Sequence, residues 1–148
     1  MTTSSFQHRR CLTATPGAVF AAIADPARLA RWWGPAGFTN TFQAFTFQTG
    51  GRWTFTMHGP DGQDYANEAV FAEIVPDARV RIRHTCPPLF DLTITLHATP
   101  AGTEFSWVQQ FDDPAVAAAV RHIVEPANEQ NLDRLAAELA RSAPATGR

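Results

Sequence analysis

Residues 37–80 read GFTNTFQAFTFQTGGRWTFTMHGPDGQDYANEAVFAEIVPDARV, and this stretch decides the fold. It contains three strand-like runs that are separated by two sharp turns rich in glycine. In the middle run, Trp53, Phe55 and Met57 alternate with polar residues. Such alternation predicts a half-buried antiparallel strand, and here the buried face is unusually aromatic.

Similar alternation along the rest of the chain predicts seven strands. The predicted strands are residues 6–12, 39–47, 52–58, 65–75, 79–86, 90–99 and 103–111. The segments between the last six strands are short and rich in glycine and proline, so these strands should form an antiparallel meander. In the run at residues 79–86, arginines face outward while Val80, Ile82 and His84 face inward.

Two short helices are predicted directly after the first strand. Thr15-Pro16 and Asp25-Pro26 each combine a capping residue with a proline at the first helical position. Gly34 follows the second helix and should end it, because glycine adopts the left-handed conformation that terminates helices.

A third capping pair, Asp113-Pro114, predicts a helix after the sheet. Its predicted apolar stripe consists of Val116, Val120, Ile123 and Val124. Because a residue before proline avoids the helical region, Pro126 predicts a break and the start of a separate final helix. The predicted buried face of that final helix consists of Leu132, Leu135, Ala136 and Leu139. Only this helix is long enough to cover the aromatic sheet.

Length and composition indicate one domain of 148 residues, with a core at about residues 6–140 and a frayed tail at 142–148. The formal net charge of −2 and the short basic runs argue against nucleic-acid binding. The chain has no apolar run long enough for a membrane span and no signal peptide, which predicts a cytoplasmic protein. Cys11 and Cys86 lack metal-site spacing and are expected to be buried free thiols.

The order of these elements and a set of short motifs resemble the START/Bet v 1-like helix-grip superfamily (SRPBCC). Within it, the chain is similar to the branch named for activators of heat-shock protein 90 ATPase. The motifs that carry the resemblance are Thr15-Pro16 with Val19-Phe20, Trp32-Trp33-Gly34-Pro35, Gly50-Gly51-Arg52-Trp53, Met57-His58-Gly59-Pro60-Asp61-Gly62, Glu73-Ile74-Val75-Pro76 and Asn128-Glu129-Gln130-Asn131-Leu132-Asp133-Arg134-Leu135. The resemblance covers nearly the whole chain, roughly residues 6–139.

The resemblance implies an α+β helix-grip fold, in which a curved seven-stranded antiparallel sheet wraps around the C-terminal helix. It also implies a cavity between sheet and helix, with the loop near Trp32-Trp33 at its mouth. Relatives in the superfamily bind lipids, hormones or polyketides, and a few cyclise or dehydrate them. The expected partner is therefore a hydrophobic small molecule, and no cofactor is expected.

Two sets of residues are candidates for the cavity. The candidate apolar wall consists of Trp33, Trp53, Phe55, Met57, Phe71, Phe105 and Trp107, which an ordinary core would need equally. The polar candidates are Tyr65, Asn67, His84, Gln109, Asn128 and Asn131. Buried, these polar groups must be hydrogen-bonded, either to a ligand or within a network that holds the helix on the sheet.

Three functions compete on this evidence: a binding domain without catalysis, an enzyme of the cyclase or dehydratase type, and a chaperone regulator. In the enzyme, His84 or Tyr65 would act as the acid-base group. His84 and Cys86 alone are too few ligands for zinc, so no metal is expected. A homodimer is compatible with all three functions.

Overall fold

The computed structural model describes residues 4–142, which form seven strands and three helices. The strands are β1 (Ser5–Leu12), β2 (Thr39–Phe45), β3 (Arg52–His58), β4 (Asp64–Val75), β5 (Arg79–His84), β6 (Phe90–Thr99) and β7 (Gly102–Phe111). The helices are α1 (Pro16–Ala24), α2 (Pro26–Trp32) and α3 (Pro114–Ser142). Beyond Ser142, the tail predicted to be frayed lies outside the described residues.

All seven strands belong to one antiparallel sheet in the order β1-β7-β6-β5-β4-β3-β2. The predicted meander and the α+β helix-grip fold are therefore confirmed. β2 ends at Phe45, earlier than predicted, because the chain then enters a tight turn closed by the Gly51 N–H and the Gln48 carbonyl, 2.7 Å apart. A Cβ at Gly51 would lie 1.9 Å from the Thr46 carbonyl oxygen, so this turn requires glycine.

The three predicted capping residues act as expected. The Thr15 hydroxyl accepts a hydrogen bond from the Ala18 N–H at 3.2 Å, and Asp25 accepts one from the Ala27 N–H at 3.0 Å. The Asp113 carboxylate does the same at the start of α3. Local sequence therefore determines where each helix begins.

The predicted break at Pro126 is wrong, because α3 runs without interruption from Pro114 to Ser142. A proline inside a helix removes one backbone hydrogen bond and costs about 3 kcal/mol. Pro126 lies on the exposed side of α3, and both halves of the helix pack against the sheet on the other side. Tertiary packing thus outweighs the local penalty. None of the helices within residues 4–142 is both long enough and apolar enough to cross a membrane.

Two apolar clusters hold these layers together. The larger one joins α1, α2 and the second half of α3 to the sheet, and it contains Leu132, Leu135 and Leu139 as predicted. The smaller cluster contains Phe6, Phe111 and Ala117, with Val116, Val120 and Val124 packed against it. Ile123, predicted to belong to this stripe, is 59% exposed. The helix therefore faces the sheet with the side that carries Ala117.

The prediction of two buried thiols is wrong for Cys11, which is exposed, whereas Cys86 is half-buried. Cys11 follows the strict alternation of β1, in which Leu12 faces the core and its neighbour faces solvent. Both cysteines are free thiols.

We expect Pro126→Ala to raise the free energy of unfolding by about 1–3 kcal/mol, because alanine restores the missing helical hydrogen bond. Urea denaturation followed by circular dichroism measures the change. Pro114→Ala is the matched control, since proline at the first helical position costs nothing. Equal effects of the two substitutions would contradict this interpretation of α3.

Candidate functional site

Asn131 on α3 binds the loop that follows α2 at two points. Its amide Nδ2 donates to the Trp32 carbonyl at 2.8 Å, and its Oδ1 accepts from the Gly34 N–H at 3.2 Å. Gly34 has a φ of +95°, the left-handed conformation that ends α2 and redirects the chain. From the opposite side, Asn40 of β2 donates to the Trp33 carbonyl at 2.9 Å. Helix and sheet thus fix this loop together.

Arg134, one turn further along α3, binds the same loop through its guanidinium. It donates to five backbone carbonyls at 2.7–3.1 Å. The accepting residues are Arg31, Trp33, Gly34, Pro35 and Phe38. Burial lowers the pKa of Arg134, but an arginine side chain remains a cation at neutral pH. We call Asn131 and Arg134 the loop latch.

The loop latch places the Trp33 side chain against the aromatic face of the sheet. The Trp33 ring lies 4.9 Å from Trp53, 5.6 Å from Trp107 and 6.5 Å from Phe55, centroid to centroid. Only 9% of Trp33 is exposed. The structure therefore brings the predicted apolar wall together, and Trp33 packs directly on it.

The other members of the predicted wall extend the same layer. Phe71 stacks on Trp53 with a centroid distance of 5.6 Å and an interplanar angle of 7°. Phe105 is fully buried beside Trp107, whereas Met57 is half-buried near Gly34. These side chains contact one another as core residues do.

Among residues 4–142, the indole nitrogens of Trp53 and Trp107 in this wall are buried and have no hydrogen-bond partner. The two residues are 1% and 2% exposed. A buried donor without an acceptor costs about 1–3 kcal/mol. The inner face therefore carries two N–H groups that packing against Trp33 does not satisfy.

Asn128 and Gln109, two of the polar candidates, connect α3 to β7. The Asn128 amide donates to the Gln109 side-chain oxygen at 3.0 Å, and both residues are buried. With Asn131 in the loop latch, three of the six polar candidates fasten α3 to the rest of the fold.

His84 lies at the end of β5, stacked on Phe90 with a centroid distance of 4.5 Å. Its Nδ1 lies 2.8 Å from the Pro88 carbonyl oxygen, and its Nε2 lies 2.8 Å from the Asn67 side-chain oxygen and 3.6 Å from the Cys86 sulfur. Burial lowers the pKa of His84. Both ring nitrogens therefore already contact polar atoms of the protein.

Tyr65 lies apart from His84, at the rim of the sheet. It is 43% exposed, and its ring centroid is 6.0 Å from that of Phe38. His84 lies opposite Ala69 in the sheet, four residues along β4 from Tyr65. At about 3.3 Å per residue, the two candidate acid-base groups are about 13 Å apart along the strand.

A pocket of about 580 Å³ lies elsewhere, between the end of β1, the start of α1, α2 and the last turns of α3. We call it the end pocket. Its lining residues are Cys11, Leu12, Thr13, Ala14, Thr15, Ala18, Arg28, Ala136, Leu139 and Ala140. Sequence reasoning missed this site, because four separate segments contribute to it and most of its residues are small. The one available signal was the pair Ala136 and Ala140, one helical turn apart on α3.

Beside the end pocket, three arginines surround the carboxylate of Glu138, whose side chain is 2% exposed. Arg31 donates to both carboxylate oxygens, at 2.9 and 2.7 Å, and the Arg28 Nε donates to one of them at 3.2 Å. Arg141 lies further away, at 3.9 Å. The hydrogen bond from Arg31 is the largest cause that lowers the pKa of Glu138 below its ordinary value.

A second polar arrangement not found from the sequence lies on the outer face of the sheet. The Thr41 hydroxyl is 2.8 Å from the His58 Nε2, and the His58 Nδ1 is 2.7 Å from the Asp64 carboxylate. The order of groups matches that of a hydrolase triad. His58 and Asp64 are 36% and 65% exposed, however, and lie outside the end pocket. We interpret the row as a cross-strand surface network.

Within residues 4–142, no group of three or more His, Cys, Asp or Glu side chains is placed to hold a metal ion.

A seven-stranded antiparallel sheet packed on a long C-terminal helix, with polar residues of that helix facing the sheet, defines a helix-grip protein of the SRPBCC type. Residues 13–140 match the family described as Activator of Hsp90 ATPase homolog 1-like protein, and the chain belongs to this family. No protein with a curated functional description matches it.

Solved structures with the same fold cover almost the whole chain. A protein from Chromobacterium violaceum is 28% identical with a TM-score of 0.80, and the match covers 90% of this chain and 95% of that one. An AHSA1 protein from Silicibacter pomeroyi is 24% identical with a TM-score of 0.75, covering 93% and 98%. A protein from Arthrobacter aurescens is 22% identical with a TM-score of 0.86, covering 95% and 88%. The last two comparisons support the fold alone.

We expect Trp33→Ala to lower the free energy of unfolding by about 3–5 kcal/mol, because it removes a large buried side chain from the aromatic core. Urea denaturation measures the loss. Ile123→Ala is the control, since a side chain that is 59% exposed contributes little. A loss below about 1 kcal/mol for Trp33→Ala would contradict its role as a core residue.

Glu138→Gln should lower stability at pH 7 by about 1.5–3 kcal/mol, the range for hydrogen bonds to a charged group. The pKa of Glu138 is lower in the folded protein than its ordinary value of 4.5, so the carboxylate stabilises the fold fully above that value. As the pH falls below it, the wild type loses this contribution and the two stabilities converge. Urea denaturation from pH 7 to pH 3 tests this.

Glu104→Gln is the matched control for Glu138, because Glu104 forms an exposed pair with Arg9 at 3.5 Å. Such surface pairs contribute at most about 1 kcal/mol. A Glu138 effect that stays constant down to pH 3 would show that its charge is not what stabilises the fold.

Proposed function

We propose that the protein binds a small, largely apolar molecule and that the end pocket is its binding site. The observation that carries this proposal is the volume of the end pocket, about 580 Å³. Binding sites for small molecules typically measure about 300–1,000 Å³ and combine an apolar wall with a few polar groups. Leu12, Ala14, Ala136 and Leu139 supply such a wall here, and Arg28 supplies a polar group.

The predicted wall between sheet and helix stays a second candidate for ligand contacts. A ligand that reached it would have to displace the Trp33 side chain, which packs on Trp53 and Trp107. Its oxygen atoms would then accept hydrogen bonds from the two unpaired indole N–H groups. Displacing Trp33 would also require the loop latch to open, so this site is more costly to fill than the end pocket.

Binding is better supported than catalysis. A cyclase or dehydratase mechanism would use His84 or Tyr65, and neither residue lines the end pocket. The His84 nitrogens contact Pro88, Asn67 and Cys86, and Tyr65 is too distant to act with it. The residues that line the end pocket instead form a concave, largely apolar surface, with the cation Arg28 beside it.

The other predictions from the sequence need separate experiments. An ATPase assay with the chaperone Hsp90 decides whether the protein regulates it, as the family description suggests. Light scattering measures whether it forms a homodimer. The cytoplasmic location and the absence of nucleic-acid binding also stay predictions, the latter supported by the net charge of −2.

We expect the neutral fluorophore N-phenyl-1-naphthylamine to bind the protein saturably, and Ala140→Phe to weaken this binding at least tenfold by filling the end pocket. Fluorescence titration measures both affinities. Ala137→Phe is the matched control, because Ala137 is exposed on the same helix and does not line the pocket.

Two results would contradict the proposal. Without saturable binding to the wild type, the small-molecule function would be unsupported. If Ala140→Phe and Ala137→Phe bound the fluorophore equally well, the end pocket would not be the site. Tighter binding to Trp33→Ala than to the wild type, together with no effect of Ala140→Phe, would instead favour the inner wall.

A further inference from the structure

We propose that Cys86 and His84 form a second, reactive site, in which the Cys86 thiol adds to an α,β-unsaturated carbonyl compound and His84 transfers the proton. The site is independent of the end pocket, because neither residue lines that pocket. Its three side chains, Cys86, His84 and Asn67, meet where β5 ends and the chain enters the loop before β6. We call them the thiol cluster.

The Pro88 carbonyl fixes the tautomer of His84. It lies 2.8 Å from the His84 Nδ1, and a carbonyl oxygen only accepts hydrogen bonds, so Nδ1 carries the proton. In the neutral ring, Nε2 then carries the lone pair, and Nε2 is the nitrogen that lies 3.6 Å from the Cys86 sulfur. Burial lowers the pKa of His84, which keeps the ring neutral at pH 7. His84 therefore has the position and the protonation state of a general base for Cys86.

Asn67 favours the transfer of the thiol proton to His84. Its amide Nδ2 donates to the Tyr65 carbonyl at 3.0 Å, and this contact turns its Oδ1 toward the His84 Nε2, 2.8 Å away. While the ring is neutral, the Nε2 lone pair and Oδ1 are two acceptors that face each other. Once Nε2 has taken the proton of Cys86, the same contact becomes an N–H···O hydrogen bond. Asn67 is thus a positioning residue for the base.

The sulfur of Cys86 has a hydrogen-bond donor of its own. The backbone N–H of Glu68 donates to it at 3.4 Å. Such a donor binds an anionic sulfur more strongly than a neutral one, so it stabilises the thiolate that proton transfer leaves. Cys86 is only half-buried, so part of its surface is open to solvent. Nucleophile, base and positioning group thus form one chain of contacts, as activated nucleophiles require.

The thiol cluster suits an electrophile that takes up both the sulfur and a proton. As the C–S bond forms at the β-carbon of an unsaturated carbonyl compound, the electron pair of the C=C bond moves toward the carbonyl oxygen as an enolate. The proton that His84 took from the thiol then goes to the α-carbon. The product is a neutral thioether, and the step needs no oxidant or second reactant. Phe90, whose ring stacks on His84 at 4.5 Å, is apolar, which suits a neutral organic electrophile.

The reaction of 2-cyclohexen-1-one with the wild type at pH 7.5, followed by peptide mass spectrometry, tests the proposal. Cys11 is an internal reference, because it is an exposed free thiol in the same chain. Without activation, the half-buried Cys86 should react more slowly than Cys11. We expect Cys86 instead to react about tenfold faster, an effect within the range of general base catalysis.

His84→Gln should lower the rate at Cys86 about tenfold and leave the rate at Cys11 unchanged. Asn67→Ala should also slow Cys86, whereas Asn67→Asp should keep its rate, because it retains an oxygen that accepts from the protonated Nε2. Both Asn67 variants lose the hydrogen bond to the Tyr65 carbonyl. A merely structural role of Asn67 would therefore make the two variants alike.

Iodoacetamide distinguishes the class of electrophile. It consumes the thiolate and releases iodide, but it takes no proton back from His84. The rate of Cys86 relative to Cys11 should therefore be larger with 2-cyclohexen-1-one than with iodoacetamide.

Three results would overturn the proposal. If Cys86 reacts no faster than Cys11, the thiol is not activated. An unchanged rate at Cys86 in His84→Gln would show that His84 is not its base. Equal rate ratios for the two reagents would show that the site does not select an unsaturated carbonyl. If His84→Gln slows both cysteines alike, the substitution has altered the fold, and the wild-type ratio and the two Asn67 variants decide.

Discussion

Five backbone carbonyls converge on the guanidinium of Arg134, and the interior of the protein depends on this contact. With Asn131, it ties the loop after α2 to the inner side of α3. The fixed loop places Trp33 on the aromatic face of the sheet, where its ring packs on Trp53 and Trp107. Arg134 is half-buried, and removing part of a cation from water is costly, but the five carbonyl acceptors offset much of that cost.

The middle of the fold and the end of α3 are packed differently. Aromatic side chains pack between the sheet and α3. The end pocket lies where the end of β1, α1, α2 and the last turns of α3 meet. A second charged cluster stabilises that end: Glu138, buried between arginines, holds α2 against α3. Arg134 thus fixes the loop that carries Trp33, whereas the contacts of Glu138 with Arg28 and Arg31 lie beside the end pocket.

Elements with a strong local signal could be predicted from the sequence. Thr15 and Asp25 cap their helices because the capping hydroxyl or carboxylate lies only two or three residues from its N–H partner. Alternation along β3 and β5 correctly predicted which side chains face the core. Pro126 carried an equally strong local signal for a break, yet packing on both sides of it kept α3 continuous. The candidate wall could be predicted, but the position of Trp33 within it could not, because that depends on contacts across about 100 residues.

By itself, then, the sequence determined the order of the strands and of the first two helices, the caps, and the inward faces of β3 and β5. Its short motifs also indicated the family. The elements, caps and strand faces depend on neighbouring residues and on the period of two along a strand. Only the tertiary structure decided three further features. Arg134 binds the loop after α2, Trp33 packs on the inner face of the sheet, and the end pocket forms beside the last turns of α3. Each of these depends on which distant segments meet, and that is set by the packing of the whole chain.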